Sequence, residues 1–182
     1  YAALRDKSVE QLLNQADIAI TDGVGLFWAE RFLSLSFTFK NRFLRWLQAS
    51  WQVVTTGSKI LFSPKYLYTN IPEKITGSNV IYDLAAVCAQ ERKSIYLLGN
   101  WGDSAKRAAE KLHTLNSGLK IAGYSNKASD DLTVLEDLYI AKPDLLLVGF
   151  GPIKQEQWIF NNLKNLPIKV AMGVGGSFDY TS

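Results

Sequence analysis

Two short stretches concentrate the residues that could do chemistry. In "ITDGVG", residues 20–25, one carboxylate, Asp22, stands on a turn with Gly23 and Gly25. In "GFGPIKQE", residues 149–156, Lys154, Gln155 and Glu156 follow Gly149 and Gly151 closely. Glycines on a turn let backbone amides approach a ligand, and a helix that starts behind the turn offers its N-terminus to phosphate. A carboxylate there has two readings. Asp22 faces a ligand from the rim of a sheet, or it caps the helix that follows. The two roles are compatible.

These loops need elements to hold them, and the chain alternates apolar runs with helical patterns. "SVEQLLNQ" is helical and "ADIAIT" reads as a short strand; "LFWAERFL" starts a helix. "SNVIYDLAAVCAQERK" has apolar positions at helical spacing and is closed by Lys93 before the strand "SIYLLG". "DSAKRAAEKLHTL" opens on an Asp or Ser cap and is rich in helix formers. Then come the strand "LKIAGY", the helix "DLTVLEDLYIA", the strand "PDLLLVGF", the helix "KQEQWIFNNLKN" and the strand "IKVAMGVGG". Strand–helix alternation with nearly all-apolar strands predicts a Rossmann-like α/β fold: a mostly parallel sheet with helices on both faces.

In such a sheet the ligand sits beyond the carboxyl ends of the strands. Five loops mark those ends: "TDGVG", "GNWGD" with Gly99 and Asn100, "GYSNK" with Gly123 and Tyr124, "GFGPIKQE", and "GVGGSFD" with Gly175. Five such loops on one rim predict a nucleotide or sugar-phosphate pocket. A dinucleotide site is the competitor, and two positions argue against it. Trp28 replaces the third glycine of the G-x-G-x-x-G fingerprint in the first loop, and Lys154 replaces it in the fourth, where Pro152 also follows the second glycine.

Composition excludes other classes. The 182 residues suit one domain with a proper core, and a net charge of +3 is too mild to imply nucleic acid. The single cysteine, Cys88, excludes an internal disulfide and falls in an apolar helical pattern as a buried thiol. One histidine, His113, in a polar helix, and no Cys/His cluster argue against zinc; no metal and no cofactor are expected. No apolar run reaches the ~20 residues of a spanning helix, and no signal peptide is visible. The sequence starts at Tyr1 and stops at "FDYTS" without a closing element, so it reads as part of a longer protein.

Residues 32–70 form a segment of different character. Between residues 31 and 72 there are six basic residues (Arg31, Lys40, Arg42, Arg45, Lys59, Lys65) and no acidic one. Placed on a helix over 39–54, Phe39, Phe43, Leu44, Trp46, Leu47, Trp51 and Val54 share one face, with Asn41, Arg42, Arg45, Gln48 and Gln52 opposite. That pattern fits an interfacial helix on a membrane, a helix packed on the domain's own core, or a protein–protein contact.

The order of these motifs resembles the WecG/TagA/CpsF family of bacterial glycosyltransferases. The matching pieces are "ADIAITDGVGLFWAER", "EKITGSNVIYDL", "IYLLGNWGDSAKRAAEKL", "PDLLLVGFGPIKQEQWI" and "MGVGGSFD". The resemblance implies transfer, with inversion, of N-acetylmannosamine or its uronic acid from UDP to a polyprenyl-diphosphate-linked N-acetylglucosamine, without metal, at the inner face of the cell membrane. It makes Asp22 the candidate base and Gln155 the active-site glutamine that orients donor or acceptor. Thr76 and Gly77 fall in the stretch the family uses near its phosphates. Lys74 stands where the family has arginine, which keeps the charge but gives up the bidentate grip. Glu156 has two readings, a ribose ligand or an acid favouring a helix N-terminus. The family's upstream Thr-x-Asn segment would precede Tyr1, and its basic tail would follow Ser182. From a different class, the competing function is a non-catalytic nucleotide-sugar-binding module that docks on a membrane or partner through residues 39–54. Homo-oligomer formation is left open.

Overall fold

A computed structural model describes residues 7–20, 24–62, 77–99 and 102–181. The chain divides into two compact units, residues 1–19 with 77–182, and residues 20–76.

The first unit is built on four parallel strands: β1 (Ser94–Gly99), β2 (Lys120–Ser125), β3 (Leu145–Gly149) and β4 (Val170–Gly173). Their order is β2-β1-β3-β4. Every residue of the two central strands is buried, whereas the edge strands β2 and β4 are partly open. "SIYLLG" and "LLLVG" can be this apolar because helices cover both faces.

Side chains alternate across the sheet accordingly. Ile95 and Leu97 of β1, with Leu145 and Leu147 of β3, pack under α4 (Gly77–Gln90), α5 (Ser104–Leu115) and α8 (Ser177–Thr181). Tyr96, Leu98, Leu146 and Val148 face the other way, under α6 (Thr133–Ala141) and α7 (Lys154–Asn162). The inner stripe of α5 is Ala105, Ala108, Ala109 and Leu112, small residues that seat the helix close to the strands. At the end of α4, Arg92 takes a left-handed φ of 54°, and the Lys93 N–H reaches back to Cys88 O at 2.8 Å, which closes the helix. The Cys88 thiol is buried; its pKa is raised first by that burial and then by Asp144, against a smaller pull from Lys93. His113 is exposed, its Nδ1 3.0 Å from Leu119 O. The helix α1 (Lys7–Asn14) packs against α7.

Three expectations need correction. Residues 16–20, "ADIAI", form no strand: among the described residues they pair with no neighbour, and Ile18 is 81% exposed. An apolar run becomes a strand only where a ladder partner satisfies its backbone. The described sheet therefore presents four strand ends instead of five. Asp103 occupies the N-cap position of α5 but its side chain makes no capping hydrogen bond. Its φ/ψ of −101°/17° departs from the extended backbone that aims a cap at the first amides. The "FDYTS" stretch does carry an element, α8, whose Phe178 and Thr181 are buried.

The second unit contains α2 (Val24–Leu33) and α3 (Arg42–Phe62), which pack on each other. The helix expected over 39–54 starts later and runs further. Asn41 caps it: its Oδ1 accepts the Phe43 N–H at 2.9 Å, and its carbonyl accepts the Arg45 N–H at 2.9 Å.

Candidate functional site

β1 leads through α5 to β2 on one side, while β3 and β4 lie on the other. Connections therefore diverge between β1 and β3, and the crevice at their carboxyl ends is the topological switch point. Gly99 and Gly149 are register partners at that end. Both are crowded by the same ring. A Cβ would meet the Phe178 ring at 3.1 Å from Gly99 and at 2.9 Å from Gly149. The two glycines thus let the Phe178 ring of α8 pack against the ends of β1 and β3.

The loop after β3 is held in an unusual conformation. Gly151 has φ +85°, which suits glycine, but Ile153 has φ 70° and ψ −45°. A β-branched residue in that region is strained by about 1–3 kcal/mol, and such strain gathers at functional sites. The loop delivers α7 with its N-terminus at the rim. Lys154 is exposed there, and Gln155 is buried.

Gln155 is the hub of the site. Its Oε1 accepts the Gly175 N–H at 2.8 Å, and its Nε2 donates to Glu156 Oε1 at 2.8 Å. It thereby ties the first turn of α7 to the glycine turn behind β4, where Gly175 has φ +57°. The room for Gln155 comes from Gly173, where a Cβ would stand 2.7 Å from Nε2. Two acceptors at this edge are buried and take no hydrogen bond among the described residues: Glu156 Oε2, behind β3, and Asn126 Oδ1, behind β2. Buried acceptors without partners are uncommon, and a ligand's hydroxyls would satisfy them.

Two titratable groups beside β2 are committed to their neighbours. Lys127 Nζ donates to Thr133 Oγ1 at 2.7 Å and pairs with Asp137 at 2.8 Å, and that hydrogen bond raises its pKa. Tyr96 is pushed up to about 12, first by burial and then by Asp137, with the Ser125 hydrogen bond opposing, so it stays protonated. Among the described residues, no three His, Cys, Asp or Glu side chains could hold a metal together. A cavity of about 490 Å³ between α6 and the end of α7, lined by Leu135, Tyr139, Ile140 and Leu166, lies toward the opposite edge of the sheet.

The structure gathers Gly99, Gly149, Gly151, Lys154, Gln155, Glu156 and Gly175 on one edge of the sheet. Tyr124 follows in the exposed part of β2. Gly123 lies inside β2, where a Cβ would meet the Tyr96 ring at 2.6 Å, so its neighbour on β1 already requires glycine there. Gly25 is in α2 of the second unit, and Gly77 opens α4. Asp22, Gly23, Lys74, Thr76 and Asn100 lie outside the described residues. Sequence reasoning missed Gly173, Phe178, Asn126 and Ile153. For Gly173 a signal existed, its place in the "GVGG" run.

A doubly wound parallel sheet with glycine turns and a helix N-terminus at its switch point defines a Rossmann-like α/β protein. Residues 35–182 match the glycosyl transferase WecG/TagA/CpsF family, and the chain belongs to that family. Similar proteins include an N-acetylglucosaminyldiphosphoundecaprenol N-acetyl-beta-D-mannosaminyltransferase of Bacillus subtilis (strain 168), 27% identical over 183 residues, which spans 100% of this chain and 58% of the relative. Proteins of the same name from Staphylococcus aureus are 29% (strain MRSA252) and 26% (strain NCTC 8325 / PS 47) identical, each over 72% of this chain and 52% of the relative. The chain spans about half the length of the curated relatives it matches.

Proposed function

We propose that this chain carries the donor-binding part of an inverting glycosyltransferase. It moves N-acetylmannosamine, or its uronic acid, from UDP to a polyprenyl-diphosphate-linked N-acetylglucosamine. The observation that carries the reading is the Gln155 bridge between the start of α7 and the Gly175 turn, in a chain whose relatives bear the transferase name.

The α7 N-terminus presents its backbone amides to the donor diphosphate, beside the Gly175 turn that Gln155 holds in place. Glu156 Oε2 and Asn126 Oδ1 accept ribose or sugar hydroxyls, and Gln155 orients the donor sugar. The acceptor hydroxyl oxygen attacks the anomeric carbon from the face opposite the diphosphate. The bond to UDP breaks, UDP leaves with the electron pair, and Asp22 takes the hydroxyl proton as general base. Among the described residues no helix is long and apolar enough to cross a membrane; the protein works at the inner face of the cell membrane, where donor and lipid-linked acceptor meet.

The test is product formation. The protein is incubated with UDP-N-acetylmannosamine and a short-chain lipid-diphosphate N-acetylglucosamine, with chelator present. The expected product carries one added N-acetylhexosamine in β linkage by mass spectrometry and NMR. Donor binding without product would support the non-catalytic module instead.

A further inference from the structure

We infer that α3 is a membrane-docking helix that lies on an anionic lipid surface through its aromatic face. The helix is inside-out for a water-exposed element. The side it turns toward its own unit is polar. Gln48 Oε1 accepts the Thr38 N–H at 3.1 Å, Gln52 Nε2 donates to Ser36 O at 3.4 Å, and the buried Thr56 hydroxyl accepts Trp28 Nε1–H at 3.0 Å.

The opposite side is apolar and open. Phe43 is 66% exposed, Trp46 64%, Trp51 70% and Val54 64%, with Leu47 between them. At 1.5 Å per residue the 21-residue helix is about 31 Å long. An ordinary amphipathic helix buries its apolar stripe and wets its polar one. Here hydrogen bonds fix the polar stripe inward, so the aromatic stripe faces away from the unit that anchors it.

Charge selects what covers that face. Residues 31–72 contain no acidic side chain; Lys40 precedes the helix, and Arg42, on its polar side, borders the aromatic stripe one turn before Trp46. A second copy docked through the same face would bring like charges together, since a two-fold contact sets each patch against itself. An anionic headgroup layer is complementary, and tryptophans settle at headgroup depth. No described helix can span a bilayer, so α3 lies along the surface. The inference deepens the proposed function, whose acceptor is held in the bilayer, and rests on that reading for its purpose but not for its geometry.

The test is co-sedimentation with vesicles of phosphatidylcholine, with and without phosphatidylglycerol, in the absence of any acceptor. The parent chain pellets with phosphatidylglycerol vesicles, less with phosphatidylcholine alone, and is released by salt. A Trp46→Ser, Trp51→Ser double variant with the parent's circular dichroism and melting temperature loses about tenfold or more in partitioning. A Lys40→Glu, Arg42→Glu variant loses the preference for phosphatidylglycerol and keeps the weaker binding to phosphatidylcholine. Equal pelleting of the parent and the tryptophan variant overturns the inference. So does a parent that is dimeric in solution and becomes monomeric on losing the tryptophans, because a second copy then covers the face. UDP titration of the same preparations reads the proposed function separately: a parent that binds UDP but no vesicles contradicts the docking helix alone.

Discussion

Gly173 on β4 leaves the space that the Gln155 side chain occupies; a Cβ there would approach Gln155 Nε2 to 2.7 Å and Cδ to 2.9 Å. The edge strand and the first turn of α7 thus form one device. Gln155 can reach the Gly175 amide only because β4 carries no side chain at that point.

Gly173→Ala should therefore act through Gln155. The added methyl pushes the amide away from Gly175 N, and the donor sugar loses its orientation. Displacements of this size cost on the order of 10²-fold in turnover. Steady-state kinetics should show kcat falling much more than the affinity for UDP. Unchanged kcat would mean that the Gln155 bridge does not position the donor.

Asp22→Asn should lower turnover by about 10²–10⁴-fold, the usual worth of a general base, while donor affinity stays near that of the parent. Single-turnover rates and UDP titration measure the two separately. Near-parental turnover would reduce Asp22 to a helix cap.

Gly123→Ala addresses a glycine expected from its loop-like sequence to line the pocket. Its Cβ would meet Tyr96 Cε2 at 2.6 Å, and the Tyr96 ring is buried. Overpacking of this kind costs roughly 1–3 kcal/mol. Denaturant unfolding should show that loss, and Tyr96→Leu in the same chain should restore part of it. Equal losses with and without Tyr96→Leu would rule out the ring as the cause.

Asp144 ties β3 to β1. It accepts the Ser94 N–H and hydroxyl, each at 3.0 Å, and lies 3.9 Å from Lys93. The Ser94 amide, and then the Ser94 hydroxyl, hold its pKa below the ordinary 3.8. A depressed carboxylate contributes stability that is full above 3.8 and is lost as pH falls through the lowered value. Asp144→Asn should lower the melting temperature at neutral pH, and the gap to the parent should close in strong acid. A gap that stays constant with pH would show that the charge contributes nothing.

Much of the fold was legible because its signals are local. "SIYLLG" and "LLLVG" are apolar throughout and end on glycines, and the helices between them carry 3.6-residue periodicity. "ADIAI" has the same local look, yet Ile18 is open to solvent. What it lacks is a neighbouring strand, and no local pattern encodes one. The α3 sequence displayed its two faces plainly, but periodicity does not say which face the rest of the unit holds. At the rim, Lys154, Gln155 and Glu156 were readable by type and place. Gly173 was marked by its place in the "GVGG" run, but its role and that of Phe178 were not readable, because each acts through residues brought beside it by the fold: Gln155 in one case, Gly99 and Gly149 in the other.

The central claim is that the glycine-lined carboxyl edge of this sheet holds a uridine diphosphate donor. Isothermal titration calorimetry of the chain with UDP in the presence of chelator, set beside the same titration with NAD, tests it most directly. Saturable binding of UDP at one site, much tighter than any binding of NAD, is the predicted result. Binding of NAD more tightly than UDP would contradict the account.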